Sequence, residues 1–177
     1  MKKLFVLTMA LMLPVFAGPA HSADDLNDAQ IAHIVVTANN VDIEAGKLAK
    51  NKASDKEVQG YAHRMIEEHT DVNKQATDLA TKLKVTPQDN DISKSLIADG
   101  KKNLEKLNGL MKGQKFDKAY IDGEVKLHQQ VIEVADEKLV PNVKNEELKA
   151  LLIKVRPALI SHLEHAEQLQ AVLADKR

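Results

Sequence analysis

Cysteine and tryptophan are absent from this 177-residue chain, and aromatic residues make up only 3% of it. Without cysteine there is no disulfide, so stability must come from a packed core or a bound ligand. There is also no cysteine after the N-terminal apolar run to carry a lipid anchor. Past that run the aromatics are Tyr61, Phe116 and Tyr120 alone, and the formal charge of the whole chain is −1. Nucleic-acid binding wants a basic face with stacking rings, so that class is set aside. Lysine runs such as Lys101-Lys102 read as solvated helix faces. No phosphate-binding glycine loop, nucleophile–base pair or cofactor fingerprint appears, and the sequence does not read as an enzyme.

The longest apolar run, Leu4 to Ala17, is too short for a typical membrane span. It follows Met1-Lys2-Lys3 and precedes Gly18-Pro19-Ala20-His21-Ser22-Ala23, the pattern of a secretory signal peptide cleaved near Ser22 or Ala23. The expectation is a signal over residues 1–22 and one domain over 23–177, periplasmic or secreted, with no membrane span. Loss of Lys2 and Lys3 takes the formal charge from −1 to −3.

Glycine and proline are few, and Ala, Leu, Lys, Glu and Gln dominate, so the fold reads as all-α. A first helix is expected over Asn27 to Lys52, with Ile34, Ala38, Val41, Ala45 and Leu48 inward. Ser54 with Glu57 predicts a capping box for a second helix reaching Lys84. A weaker helix, Ile92 to Met111, is loosened by Gly100 and ended by Gly113. A fourth opens near Asp117 and stops at Leu139 before Pro141, and the last runs from the cap Asn145 to Ala174 through Pro157, where a kink is expected. The simplest architecture is a ferritin-like four-helix bundle, two antiparallel hairpins joined by a helical crossover, with a five-helix bundle as the nearest alternative.

Two stripes keep heptad spacing and are apolar but for one histidine each: Val58-Ala62-Met65-His69-Val72-Ala76-Leu79-Leu83 and Leu148-Leu152-Val155-Leu159-His162-Ala166-Leu169-Leu173. An imidazole in an apolar seam needs a partner, because burying it unpaired costs a few kcal/mol. On the fourth helix Glu124 lies on both candidate core registers, Tyr120-Glu124-Leu127-Val131-Val134 and Asp117-Ile121-Glu124-His128-Val131-Ala135. Glu44 borders the stripe of the first helix and is expected to be half-buried. At roughly 1.5 Å per residue these groups fall in two layers, Glu44, Glu124 and His162 in one, His69 and His128 in the other. His162 is then expected to meet Glu124, and His69 to meet His128.

Mixed carboxylate and imidazole ligands suit zinc, copper, iron, nickel or manganese. Glu44, His69, Glu124, His128 and His162 are therefore candidate metal ligands, with His165 a spare beside His162. The same pairings would satisfy the rings with no ion, fixing helix register instead. Residues Ile66 and Leu159 stand three before His69 and His162, so the Glu-x-x-His repeats of a di-iron ferritin-like centre are missing there. His63 flanks its stripe, and His21 and His33 look incidental.

Glu44-Ala45-Gly46-Lys47-Leu48-Ala49, Met65-Ile66-Glu67-Glu68-His69, Phe116-Asp117-Lys118-Ala119-Tyr120 with His128, and Arg156-Pro157-Ala158-Leu159 with His162 resemble the bacterial family called domain of unknown function 4142. The acid before the second-helix histidine fits the family pattern, while Arg156 stands where a leucine is common. The resemblance implies an exported ferritin-like helical bundle and no activity. Two functions follow. One is a periplasmic bundle that binds a transition metal, buffering it or conferring stress resistance. The other is a non-catalytic interaction module of the envelope stress response, with a protein partner and inward polar groups that only specify packing.

Overall fold

A computed structural model describes residues 26–176. The expected signal peptide lies outside the described residues. Among those described the chain forms helices only: α1 (Asp28–Lys52), α2 (Lys56–Lys82), α3 (Asp91–Gly109), α4 (Gln114–Val134), a π-helical turn (Ala135–Leu139), α5 (Val140–Asn142) and α6 (Glu146–Asp175). No helix among them is long and apolar enough to cross a membrane.

Local chemistry sets the ends. Asn27 caps α1 by accepting from the Gln30 amide, and the Gln30 side chain returns a bond to the Asn27 amide. The cap of α2 is Asp55 rather than Ser54, with its carboxylate accepting from the Glu57 amide at 2.8 Å. Ser54 is diverted because the buried carboxylate of Asp117 accepts from its amide, its hydroxyl and the Asp55 amide, tying the start of α4 to the α1–α2 turn. Gly113 opens α4 rather than closing α3: at φ +143° it holds a conformation that disfavours any side chain. Pro141 does not stop the fourth helix either, since the helix passes through the π turn and Pro141 falls in the first turn of the short α5 that follows, where a missing N–H is tolerated.

The short 53–55 connection folds α2 back along α1; α4 packs along α6, α2 against α6, and α1 against α4. Helix α3 links the halves and lies on α1 and α4. Gly100 permits that contact, because a Cβ there would stand 2.7 Å from a methyl of Val41. The interior divides into two apolar clusters. One gathers Ala45, Ala49, Val58, Tyr61, Met65, Phe116, Ile121 and Ala166, and the other Ile31, Ile34, Ala38, Ala76, Ala135, Leu148 and Leu152. Along α1, α2, α4 and α6 the chain crosses from one cluster to the other at Asp42, His69, Glu124 with His128, and His162. Those residues form a polar layer between two apolar halves.

Candidate metal centre

Each of the four helices delivers its polar side chain inward because the residue occupies a core register. On α4 it is the second register, from Asp117 through Glu124 and His128 to Ala135. Exposure is 1% for Asp42, Glu124 and His128, 2% for His162 and 4% for His69. The three rings lie with centroids 5.1–5.6 Å apart, and a ring nitrogen from each falls within 4.8 Å of the others.

The hydrogen bonds behind the rings fix their tautomers. Asn39 donates through its amide nitrogen to Asn73, which in turn donates to Asn40, so the Asn39 oxygen is left to accept from His69 Nδ1 at 2.7 Å. His128 Nδ1 donates to the main-chain carbonyl of Glu124 at 3.0 Å. His162 Nε2 donates to Glu68 Oε2 at 2.7 Å, and Arg64 holds the other oxygen of that carboxylate. Burial works to raise the Glu68 pKa, but the bonds from Arg64 and His162 outweigh it and hold the carboxylate below its usual range. Every proton on the three rings is thus committed outward.

What faces inward is lone pairs. His128 Nε2 and His162 Nδ1 are 3.3 Å apart, His69 Nε2 is 3.3 Å from Asp42 Oδ2, and His128 Nε2 is 3.6 Å from the same oxygen. Acceptors this close repel one another unless a proton or a cation lies between them. Bonds of about 2.0–2.2 Å at tetrahedral angles place ligand atoms about 3.3–3.6 Å apart. His69 Nε2 is buried without a hydrogen-bond partner, and Glu124 closes the layer between Asp42 and Tyr120.

Burial first pushes all three imidazoles down to about 4, so each is neutral near pH 7 and free to ligate. Burial also raises Asp42 to about 6, with His128 opposing, and raises Glu124 well above the carboxylate range, with the Asp42 charge adding to the effect. Asp42 is then the ionised oxygen at neutral pH, and Glu124 keeps its proton beside it. Metal-binding imidazoles characteristically give their second N–H to a carboxylate or carbonyl, as all three do here.

A family model for a domain of unknown function, DUF4142, matches residues 14–169. The chain belongs to this family. Comparison with curated proteins and with solved structures finds no match.

Of the residues singled out in this DUF4142 chain, His69, His128 and His162 come together, and Glu124 adjoins them through Asp42 and His128. Glu44 does not: its side chain is 56% exposed and pairs with Lys47 on the outer face of α1. The expected two layers are one, and His162 meets Glu68 and His128 rather than Glu124. His165 sits edge-on to Tyr61, 5.2 Å between centroids, while exposed His63 faces Glu67 and His33 faces Asp89. Asp42, Asn39 and Glu68 were not anticipated. Asp42 had a signal, since Ile31-Val35-Ala38-Asp42-Ala45-Ala49 keeps the same heptad spacing with one polar intruder.

Proposed function

We propose that this protein is an exported helical bundle that binds one transition-metal ion in its core, on a ferritin-like frame of two hairpins, α1–α2 and α4–α6, joined through α3. The ligands are His69 Nε2, His128 Nε2, His162 Nδ1 and Asp42 Oδ2, with Glu124 protonated beside Asp42. The observation that carries this reading is the inward convergence of three imidazole lone pairs whose N–H groups are committed elsewhere. Three nitrogens and one oxygen suit zinc best among the ions considered, with Asp42 Oδ2 at 3.3 and 3.6 Å from His69 and His128 Nε2. Four protein ligands close the site, which favours sequestration or buffering over catalysis. The signal-like N-terminus supports a periplasmic or secreted setting. The test is titration of the untagged, metal-stripped protein with zinc, copper and nickel: one equivalent of uptake with a raised Tm is expected, abolished by His162→Ala. No uptake and no shift with any of the ions would overturn the proposal.

A further inference from the structure

A cavity of about 240 Å³ opens beside the histidines, between α1, α2, α4 and α6. It exceeds an engineered void of roughly 150 Å³ that is known to take up benzene. Its walls are aliphatic, among them Ile34, Leu96, Val131, Leu139, Leu152 and Leu159, with no phenylalanine, tyrosine or tryptophan among the described residues. Val72, Val155 and Leu159, the stripe positions short of full burial nearest the two histidines, all face it. The π turn of the fourth helix contributes Ala135 and Leu139 to the wall, and such turns recur where a helix is shaped around a ligand. A flexible chain fits these walls better than a planar ring, which would find nothing to stack on.

Polarity fixes the direction. The buried side of the lining holds Asn39, His69 and His162, whose ring lone pairs repel an anion, while Glu68 stands half-exposed against Arg64. The mouth holds Asp71, Gln75 and Lys154. Among the described residues Lys154 is the one cation of the lining, and its ammonium donates to the neutral amide oxygen of Gln75 at 2.8 Å. Asp71 is exposed at the same rim. We propose that the cavity binds a medium-chain aliphatic carboxylate, with its chain among the aliphatic side chains and its head group outward at Lys154. The wall exists without a metal, so this binding does not depend on the metal reading.

Isothermal titration with sodium octanoate, 1-octanol and octylamine, on metal-stripped and zinc-treated protein, tests the proposal. Octanoate should bind saturably at one per chain in both preparations. Lys154→Gln should weaken octanoate about two- to fivefold, the worth of an exposed ion pair, and leave octanol unchanged. Ala158→Phe, and independently Val72→Phe, should abolish binding of both while the helical circular dichroism and zinc uptake of the parent are retained. Pelleting with phosphatidylglycerol vesicles, if octanoate competes it away, assigns the chain to a lipid, and failure to pellet assigns it to a free acid. No saturable octanoate binding, an unchanged affinity in Lys154→Gln, or tighter binding of octylamine than of octanoate would overturn it.

Discussion

Replacing Asp42 by asparagine should stabilise the metal-free protein while destroying its response to metal. In the metal-free state the Asp42 carboxylate faces the unprotonated nitrogens of His69 and His128 at 3.3 and 3.6 Å, and His69 Nε2 has no donor. An asparagine amide at that place donates N–H to a ring nitrogen and keeps an oxygen to accept from Glu124. Relief of one buried unsatisfied group is worth about 1–3 kcal/mol. At roughly 2–4 °C per kcal/mol for a chain of this size, the middle of both ranges is a rise of about 6 °C. The wild-type protein should instead gain about 2.7 kcal/mol, or about 8 °C, from an ion at a hundred times its Kd, and the variant should gain almost none. Thermal melts followed by circular dichroism at pH 8, where Asp42 with its pKa of about 6 is ionised, measure both quantities. If Asp42 were instead a satisfied partner that fixes packing, the variant would melt below the wild type without metal, and that result would refute the reasoning.

Gly100→Val should destabilise the protein by about 1–3 kcal/mol, seen as a lower urea midpoint, because even its Cβ would meet Val41 at 2.7 Å. Asp117→Ala should cost about 2–4 kcal/mol in the same assay, since it orphans the amides of Ser54 and Asp55 and the Ser54 hydroxyl. Metal-free stability should peak near pH 6–7. Below that, the three histidines, lowered to about 4 from 6.5, make the unfolded chain the better proton binder by up to three protons, against two for the raised Asp42 and Glu124. Stability then falls with acid by about 1.4 kcal/mol per pH unit for the net proton. Above pH 7 Glu124 stays protonated only in the fold, so stability falls as pH rises; monotonic behaviour from pH 4.5 to 8.5 would contradict these assignments.

The helices and three of the four proposed ligands were legible in the sequence because α2 and α6 each bury a single stripe, and a histidine interrupting an apolar stripe stands out. Helix α1 hid its contribution. It packs on α2, α3 and α4 and so buries most of its circumference, which leaves several registers equally apolar. The register through Val41 and Leu48 favoured Glu44, while the neighbouring one through Val35, Ala38 and Ala45 carries Asp42. The levels of the polar groups were misjudged for a simpler reason. The fourth helix runs on through the π turn to Asn142 instead of stopping at Leu139, and about 4.5 Å of extra rise on that side of the last hairpin brings His128 toward the level of His162. The hydrogen bonds that Asn39 and Glu68 accept from the rings were not legible, since Asn39 is one of several polar residues on a helix buried on several sides and Glu68 belongs to an ordinary i,i+4 pair with Arg64.

The central claim is that three imidazole nitrogens and one aspartate oxygen hold a single ion in the bundle core. X-ray absorption at the zinc edge, on untagged protein loaded with one equivalent and desalted, tests it most directly. The account predicts one retained zinc per chain with three imidazole nitrogens and one oxygen at about 2.0–2.1 Å. Zinc lost on desalting, or a retained ion surrounded by six oxygens, would contradict it.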